Sequence, residues 1–199
     1  MNFLAHFLLS ADDDELRLGN LLGDVVKGRV ERFTAPGATE RMRTGIRLHR
    51  TIDSFSDGHP VVRRSKQRIT DRYGRLSGVI VDVYYDHVLA REWHAHGQGD
   101  LHAFAEGVHR TLRLNLTRLP LAVHPLVHAM TRGRWLTGYA QVEGIARAFR
   151  GMAQRTPVAA GIADAADELV AQYPAFSADF AEFFPELRAH CAAFLATTR

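Results

Sequence analysis

The segment LSGVIVDVYYDHVLAREWHA, residues 76–95, is the most apolar long stretch of this 199-residue chain, and it decides the fold class. Its β-branched run at 79–83 is also compatible with a strand. The length of the segment and its flanking pattern favour a buried central helix instead. Helical spacing of apolar residues dominates the rest of the chain, without the sustained alternation of a half-buried strand. We therefore predict an all-α fold.

Glycines, prolines and capping residues divide the remaining sequence into further helices. Before the central segment, helices are predicted over residues 2–9, 15–26, 39–55 and 60–73. After it, helices are predicted over residues 100–116, 127–138, 141–154, 159–172 and 176–195. No linker, repeat or low-complexity tract separates them. We predict a single compact helical domain over residues 1–199.

Several classes of protein are disfavoured by composition. The one cysteine, Cys191, excludes an internal disulfide and a thiolate metal cluster, so a metal would need nitrogen and oxygen ligands. No apolar run of about 18 residues predicts a membrane span, and the N-terminus lacks the basic region of a signal peptide. No recognition motif supports nucleic-acid binding. We therefore expect a cytoplasmic protein without membrane or nucleic-acid partners.

The positive charge is concentrated in one part of the chain. The net charge is only +3, but residues 27–75 carry thirteen Lys or Arg against five Asp or Glu. Most of these basic residues are arginine, whose guanidinium fork binds two oxygens of a phosphate or carboxylate at once. This Arg-rich stretch is compatible with an acidic partner and also with an ordinary solvated surface.

Four polar pairs, each four residues apart, lie in apolar segments of the first half of the chain. They are Asn2 and His6, Asn20 and Asp24, His49 and Asp53, and Asp82 and Asp86, with His87 directly after the last. Residues i and i+4 share one face of a helix, and a carboxylate among apolar side chains is expected to be paired or to bind metal. Four such pairs indicate one shared centre for a divalent cation such as Mn²⁺, Mg²⁺ or Fe²⁺. A structural hydrogen-bond network is the alternative.

The residues of these pairs differ in how strongly each one indicates a metal site. We predict that Asn2 and Asn20 are hydrogen-bonding partners rather than ligands. Taken alone, His6 and His87 could each be a buried structural histidine. Asp53 could be the partner of an arginine in an ion pair. Asp24 and Asp86 are the hardest to explain without a metal, because apolar side chains flank both.

At these same residues the sequence resembles the acyl carrier protein phosphodiesterase family. The matching stretches are MNFLAH at 1–6, GNLLGD at 19–24, LHRTID at 48–53 and DVYYDH at 82–87, and a later match at 144–152 ends in Gly151-Met152. The resemblance implies an all-helical fold related to the HD phosphohydrolases, and a divalent metal, usually Mn²⁺. It also implies hydrolysis of the phosphodiester between a carrier-protein serine and 4′-phosphopantetheine. The chain departs from the general HD pattern, because it has Asp86-His87 instead of an adjacent His-Asp.

The resemblance and the paired residues together suggest roles for individual side chains. The predicted metal ligands are His6, Asp24, His49, Asp82 and Asp86. Asp53 or His87 is expected to orient a ligand or move a proton. Arg50 is expected to neutralise charge on the phosphate, with an exposed salt bridge as the alternative. Acyl carrier protein is strongly acidic and is expected to dock on the Arg-rich stretch, where the candidates are Arg41, Arg43, Arg47, Arg63, Arg64 and Arg68.

Two other functions remain open at the level of sequence. One is an HD-like phosphohydrolase that acts on a nucleotide or another small phosphodiester. The other is a non-enzymatic helical adaptor that binds an acidic protein, in which the inward-facing acids form a structural network without metal.

Overall fold

The computed structural model of the chain describes residues 1–155 and 157–198, and within them the backbone forms helices and no β-strand. The α-helices are α1 (Phe3–Leu8), α2 (Asp14–Leu22), α3 (Glu40–Gly58), α4 (Pro60–Tyr73), α5 (Ser77–Arg91), α6 (Trp93–His96), α7 (Leu101–Leu114), α8 (His124–Arg132), α9 (Trp135–Gly138), α10 (Val142–Arg155) and α11 (Ala165–Thr197). Short 3₁₀ turns cover Val30–Arg32, Gly74–Leu76, Leu116–Arg118, Leu121–Val123 and Pro157–Ile162. The predicted all-α fold is confirmed.

Helix α5 lies at the centre of the fold, as the apolar segment 76–95 predicted. It packs against α1, α4, α10 and α11. Buried side chains from Met1 to Cys191 form one hydrophobic cluster around it. A helix with neighbours on so many sides must be apolar around most of its circumference, which explains the β-branched run that also suggested a strand.

Helices α2 and α3 pack with their backbones almost in contact. A Cβ atom added at Gly19 would lie 1.9 Å from the carbonyl oxygen of Met42, and one added at Gly45 would lie 2.4 Å from that of Leu16. Only glycine allows so close an approach, since any side chain would separate the helices. The close contact brings the C-terminal end of α2 against His49 on α3.

Several predicted helix boundaries are confirmed, and their caps explain why. Helix α4 spans the predicted residues 60–73, with Pro60 in its first turn and Gly74 after its end. Thr39 Oγ1 accepts the Met42 N–H at 3.0 Å at the start of α3. Asp100 likewise accepts the Ala103 N–H at 2.8 Å at the start of α7.

Other boundaries were predicted wrongly. Helix α2 ends at Leu22 rather than near residue 26, so Asn20 and Asp24 do not share one helix. The predicted helix 127–138 is broken by Arg134, whose φ of +47° is left-handed. The helix predicted over residues 159–172 begins at Ala165 instead. The break predicted between this helix and the next one, 176–195, is present only as a kink: helical geometry is interrupted at Gln172, two residues before Pro174, and α11 continues across it. Among the described helices, none has the length and hydropathy needed to cross a bilayer.

Candidate metal centre

His6, His49 and Asp53 converge at one point, although they come from two helices far apart in sequence. His6 projects from α1, and His49 and Asp53 lie one turn apart on α3. The Nε2 atom of His6 lies 3.3 Å from one carboxylate oxygen of Asp53, and the Nε2 atom of His49 lies 3.0 Å from the other. One donor atom from each residue lies within 4.8 Å of the others, which is the spacing of ligands around a metal ion.

Asn20 holds both imidazole rings in one orientation. Its side-chain carbonyl lies 2.7 Å from Nδ1 of His6 and 3.2 Å from Nδ1 of His49. Its amide nitrogen donates to the His6 carbonyl and to Ser10 Oγ, both at 2.9 Å, which fixes which end of the amide faces the rings. Both histidines therefore donate from Nδ1 and direct Nε2 towards Asp53.

The two rings themselves are close together. Their centroids lie 4.3 Å apart in a stacked arrangement, and both side chains are buried. Gly23 makes room for the ring of His49, because a Cβ at this position would lie 2.0 Å from His49 Cγ. Gly23 thus contributes to the site by having no side chain.

Burial and mutual contacts shift the pKa values of the histidines and carboxylates in the cluster. Burial opposes ionisation of Asp53, but hydrogen bonds from His49 and His6 outweigh it and hold the pKa of this carboxyl far below its usual range. Burial also disfavours the charged form of His49, yet Asp24 and Asp53 together raise its pKa to about 9. Burial lowers the pKa of His6. At neutral pH the metal-free cluster therefore holds a charged His49 imidazole beside ionised carboxylates.

Asp24 completes the group from the solvent side. It lies beyond the end of α2, and its Oδ1 atom is 3.4 Å from Nε2 of His49. Its side chain is 68% exposed, against 43% for Asp53. The hydrogen bond with His49 holds the pKa of the Asp24 carboxyl below its usual value. Asp24 can therefore offer an ionised oxygen to a metal ion that enters from solvent.

Arg50 does not face this cluster. Its guanidinium donates to the carbonyl oxygens of Gly28 at 2.8 Å and Val26 at 2.7 Å. Arg50 thus ties the segment after Asp24 to helix α3. These bonds are to backbone carbonyls and not to an acid, so the alternative salt bridge is not seen within the described residues, and the phosphate contact of Arg50 stays a prediction.

Asp86 is a residue of α5, and its carboxylate contacts the start of α1, away from the converging ligands. Its oxygens accept the backbone N–H groups of Leu4 at 2.7 Å, Ala5 at 3.2 Å and Asn2 at 3.3 Å. Its side chain is fully buried, and burial raises the pKa of the carboxyl to about 7. The predicted ligand is therefore a helix cap that holds the segment carrying His6.

Asp82 and His87 are also separated from the three convergent residues. Asp82 lines the cavity, and its Oδ1 atom accepts a hydrogen bond of 2.8 Å from the amino group of Met1. His87 is completely buried, with Nδ1 2.7 Å from the carbonyl oxygen of Tyr139. Burial lowers the pKa of His87. The geometry of His87 is that of a structural histidine rather than the proton carrier expected from the sequence.

The cluster opens into a cavity of about 280 Å³. Its lining combines the polar group with apolar side chains from Met1 and helices α1, α2 and α5: Met1, Asn2, Phe3, His6, Phe7, Leu21, Asp24, His49, Asp53, Ser56, Asp57, Val79 and Asp82. A small polar substrate group can therefore reach the Nε2 atoms and the two carboxylates from solvent.

Comparisons with known proteins agree with the family resemblance of the sequence. A family model described as acyl carrier protein phosphodiesterase matches residues 1–187. The chain belongs to the acyl carrier protein phosphodiesterase family. Within this family, it is 33% identical to the acyl carrier protein phosphodiesterase of Pectobacterium atrosepticum, covering 94% of this chain and 95% of that protein. It is 32% identical to the protein of the same name from Salmonella agona, covering 96% and 98%.

No solved structure matches the chain significantly. The predicted kinship of this phosphodiesterase family with the HD phosphohydrolases therefore stays a prediction.

Proposed function

We propose that this chain hydrolyses the phosphodiester between the serine of holo-acyl carrier protein and 4′-phosphopantetheine, at a divalent metal centre. The convergence of His6, His49 and Asp53 in an open cavity is the observation that carries the proposal. Membership in the acyl carrier protein phosphodiesterase family supports the choice of substrate.

The donor set fits a divalent metal. His6 and His49 offer Nε2 atoms whose opposite nitrogens are fixed by Asn20, the usual arrangement of metal-binding histidines. Asp53 offers a carboxylate between them, and Asp24 is the nearest further oxygen donor. Two nitrogens with carboxylate oxygens suit Mn²⁺, with Fe²⁺ or Mg²⁺ as alternatives. A metal held there supplies Lewis acidity that polarises a phosphoryl oxygen and lowers the pKa of water.

The residues of the chain have separate tasks in this reaction. Water adds its oxygen to phosphorus, the bond from phosphorus to the serine oxygen breaks, and the serine oxygen takes a proton. Asp24 is exposed and ionised, so it is suited to add an oxygen ligand to the metal from the solvent side. Asn20 and Gly23 keep His49 in place, and Asp86 holds the helix that carries His6.

The direct test is intact-mass spectrometry of purified holo-acyl carrier protein after incubation with the chain and Mn²⁺. We expect the carrier to lose the mass of 4′-phosphopantetheine, and to keep it in parallel samples with EDTA or with Asp24→Ala. A carrier that stays intact in every sample would refute the proposed reaction. Hydrolysis of nucleotides in place of holo-carrier would select the small-phosphodiester alternative. A folded protein whose Tm does not respond to Mn²⁺ would favour the adaptor.

The same proposal includes docking of the acidic carrier on basic residues near the cavity. Five of the six arginines predicted for docking are ion-paired with acids of the chain itself: Arg41, Arg43, Arg47, Arg64 and Arg68. The sixth, Arg63, is exposed and has no ion pair within the described residues, so it stays a candidate. Lys27 and Arg29 are likewise exposed and without an ion pair in that part of the chain, and they follow Asp24 closely in the sequence. We therefore place the docking surface at Lys27 and Arg29 within the Arg-rich stretch.

Charge reversal at this surface gives a specific prediction. The double variant Lys27→Glu/Arg29→Glu should raise KM for holo-carrier roughly tenfold and flatten its dependence on salt, because electrostatic attraction assists encounter and is screened by ions. The kcat value should be nearly unchanged. Steady-state kinetics between low and high salt measure both effects. The control is Arg110→Glu/Arg132→Glu on α7 and α8, and equal KM values for the two double variants would contradict the docking site.

Removing the amide that orients the histidines gives a second prediction. Asn20→Ala should weaken Mn²⁺ binding roughly 10–100-fold, because both Nδ1 atoms lose the partner that fixes their rings. Isothermal titration calorimetry of the purified variants measures this affinity. The control is Asn115→Ala, which removes a side-chain amide that bonds Thr111 and Arg118 at the end of α7. Unchanged affinity in Asn20→Ala would show that Asn20 does not orient metal ligands.

A further inference from the structure

A second cavity, of about 410 Å³, opens directly beside the candidate metal centre. Asn2, Phe3, Asp24 and Val79 line both cavities, so the two form one continuous depression. Away from the metal centre, the second cavity is mostly apolar, with walls from Leu126, Trp135, Ala148 and Met152. We call it the Gly151 groove.

Four glycines lie along the groove. Gly133, Gly138, Gly144 and Gly151 all line it, and the last belongs to the Gly151-Met152 pair noted in the sequence. At Gly151, on helix α10, an added Cβ would meet no atom within 4 Å. The space above this residue is therefore open to a ligand and is not used by packing within the described residues.

Polar groups lie at defined points of the groove. The side-chain amide of Asn2 donates to the hydroxyl of Tyr139 at 3.2 Å where the two cavities meet. Arg147 lines the groove from α10 and is exposed. A small number of polar groups in an apolar concave wall is typical of sites for small organic ligands, whose volumes are about 300–1,000 Å³.

We propose that the Gly151 groove binds the pantetheine arm of the carrier protein while the phosphate lies in the metal centre. This inference rests on the proposed function. The arm is a flexible chain that leads away from the phosphate, with a dimethyl-substituted carbon, two amides and a terminal thiol. A groove that starts at Asn2 and Asp24 and continues along apolar walls matches that order of groups. Binding the arm here places its phosphate beside His49 and Asp53.

Filling the groove tests the proposal. Gly151→Leu adds a side chain into open space, so we expect the protein to fold while the room for the arm is lost. The matched control is Gly107→Leu on α7, where an added Cβ also meets no atom within 4 Å and which lines a different depression. Thermal unfolding of both variants verifies that they are folded.

Two measurements separate failure of this inference from failure of the proposed function. The first is kcat/KM for release of phosphopantetheine from holo-carrier, which should fall roughly 10–100-fold in Gly151→Leu and stay unchanged in Gly107→Leu. The second is an NMR titration with free pantetheine, which requires no hydrolysis. We expect wild type and Gly107→Leu to bind pantetheine and Gly151→Leu to lose this binding.

Each outcome leads to a decision. If the wild type releases the arm and Gly151→Leu is as active as the control, the groove proposal is overturned and the proposed function stands. If the wild type releases no phosphopantetheine but still binds free pantetheine, and Gly151→Leu loses this binding, the result supports the groove as a pantetheine site and refutes the proposed reaction. A wild type that binds no pantetheine overturns the groove.

Discussion

Replacing Asp53 by asparagine is expected to lower kcat for release of phosphopantetheine about 10²–10³-fold, because a centre without this anionic ligand holds the metal that stabilises charge in the transition state less well. Asparagine keeps the shape of the side chain, removes its charge and replaces one acceptor oxygen by an NH2 donor. Both carboxylate oxygens of Asp53 face the Nε2 atoms of His6 and His49, so the charge lies between the two nitrogen donors. Mn²⁺ binding measured by calorimetry should weaken together with kcat.

A readout on the metal-free protein makes this prediction more specific. The pKa of His49 is raised to about 9 by Asp24 and Asp53, against the burial that opposes it. Loss of the Asp53 charge should move the pKa of His49 downwards, which NMR titration of the imidazole signals measures. The control is Asp71→Asn, an exposed carboxylate on α4. Normal kcat and normal Mn²⁺ affinity in Asp53→Asn would remove Asp53 from the centre.

Part of this site could be predicted from sequence because it depends on spacing along one helix. His49 and Asp53 lie four residues apart on α3, and their side chains meet as that spacing requires. The pair Asp82 and Asp86 has the same spacing on α5, but only Asp82 lines the cavity. Spacing selects a face of a helix only when the other faces are solvated, and α5 is covered on many sides.

The rest of the site depends on contacts between distant segments. Asn20 contacts His6 and His49 at the same time because α1, α2 and α3 meet at this point. The close approach of α2 and α3 at Gly19 and Gly45 allows them to meet. The early end of α2 moves Asp24 off the helix face that it was predicted to share with Asn20. A sequence pattern does not contain such distances. The glycines in GNLLGD at 19–24 and TGIR at 44–47 were the one sign of this contact in the sequence, because a glycine inside a predicted helix often marks a place where another segment packs closely.

Asp86 shows why a buried carboxylate alone does not identify a metal ligand. The sequence correctly predicted that this acid would be buried and would need partners. Those partners are backbone N–H groups of Asn2, Leu4 and Ala5, more than 80 residues earlier in the chain. The start of a helix has unpaired N–H groups and positive potential, so it satisfies a carboxylate much as a cation does.

Asp86→Ala is therefore expected to lower the free energy of unfolding by about 3–5 kcal/mol, since it leaves several buried donors without an acceptor. The control is Asp100→Ala, which removes a cap of the same chemistry from the exposed start of α7 and should cost about 1 kcal/mol. Urea denaturation at constant pH measures both values. Equal losses in the two variants would contradict a burial-dependent cap at α1.

Metal binding decides between the two roles of Asp86. As a helix cap, Asp86 acts on the metal centre only through the position of α1 and His6. The folded fraction of Asp86→Ala, held at low temperature, should then bind Mn²⁺ within about tenfold of wild type, in the range expected for a supporting residue. Asp53→Asn, by contrast, should lose affinity without a comparable loss of stability. If Asp86→Ala is stable but binds no Mn²⁺, Asp86 is a ligand and the cap geometry belongs to the metal-free protein alone.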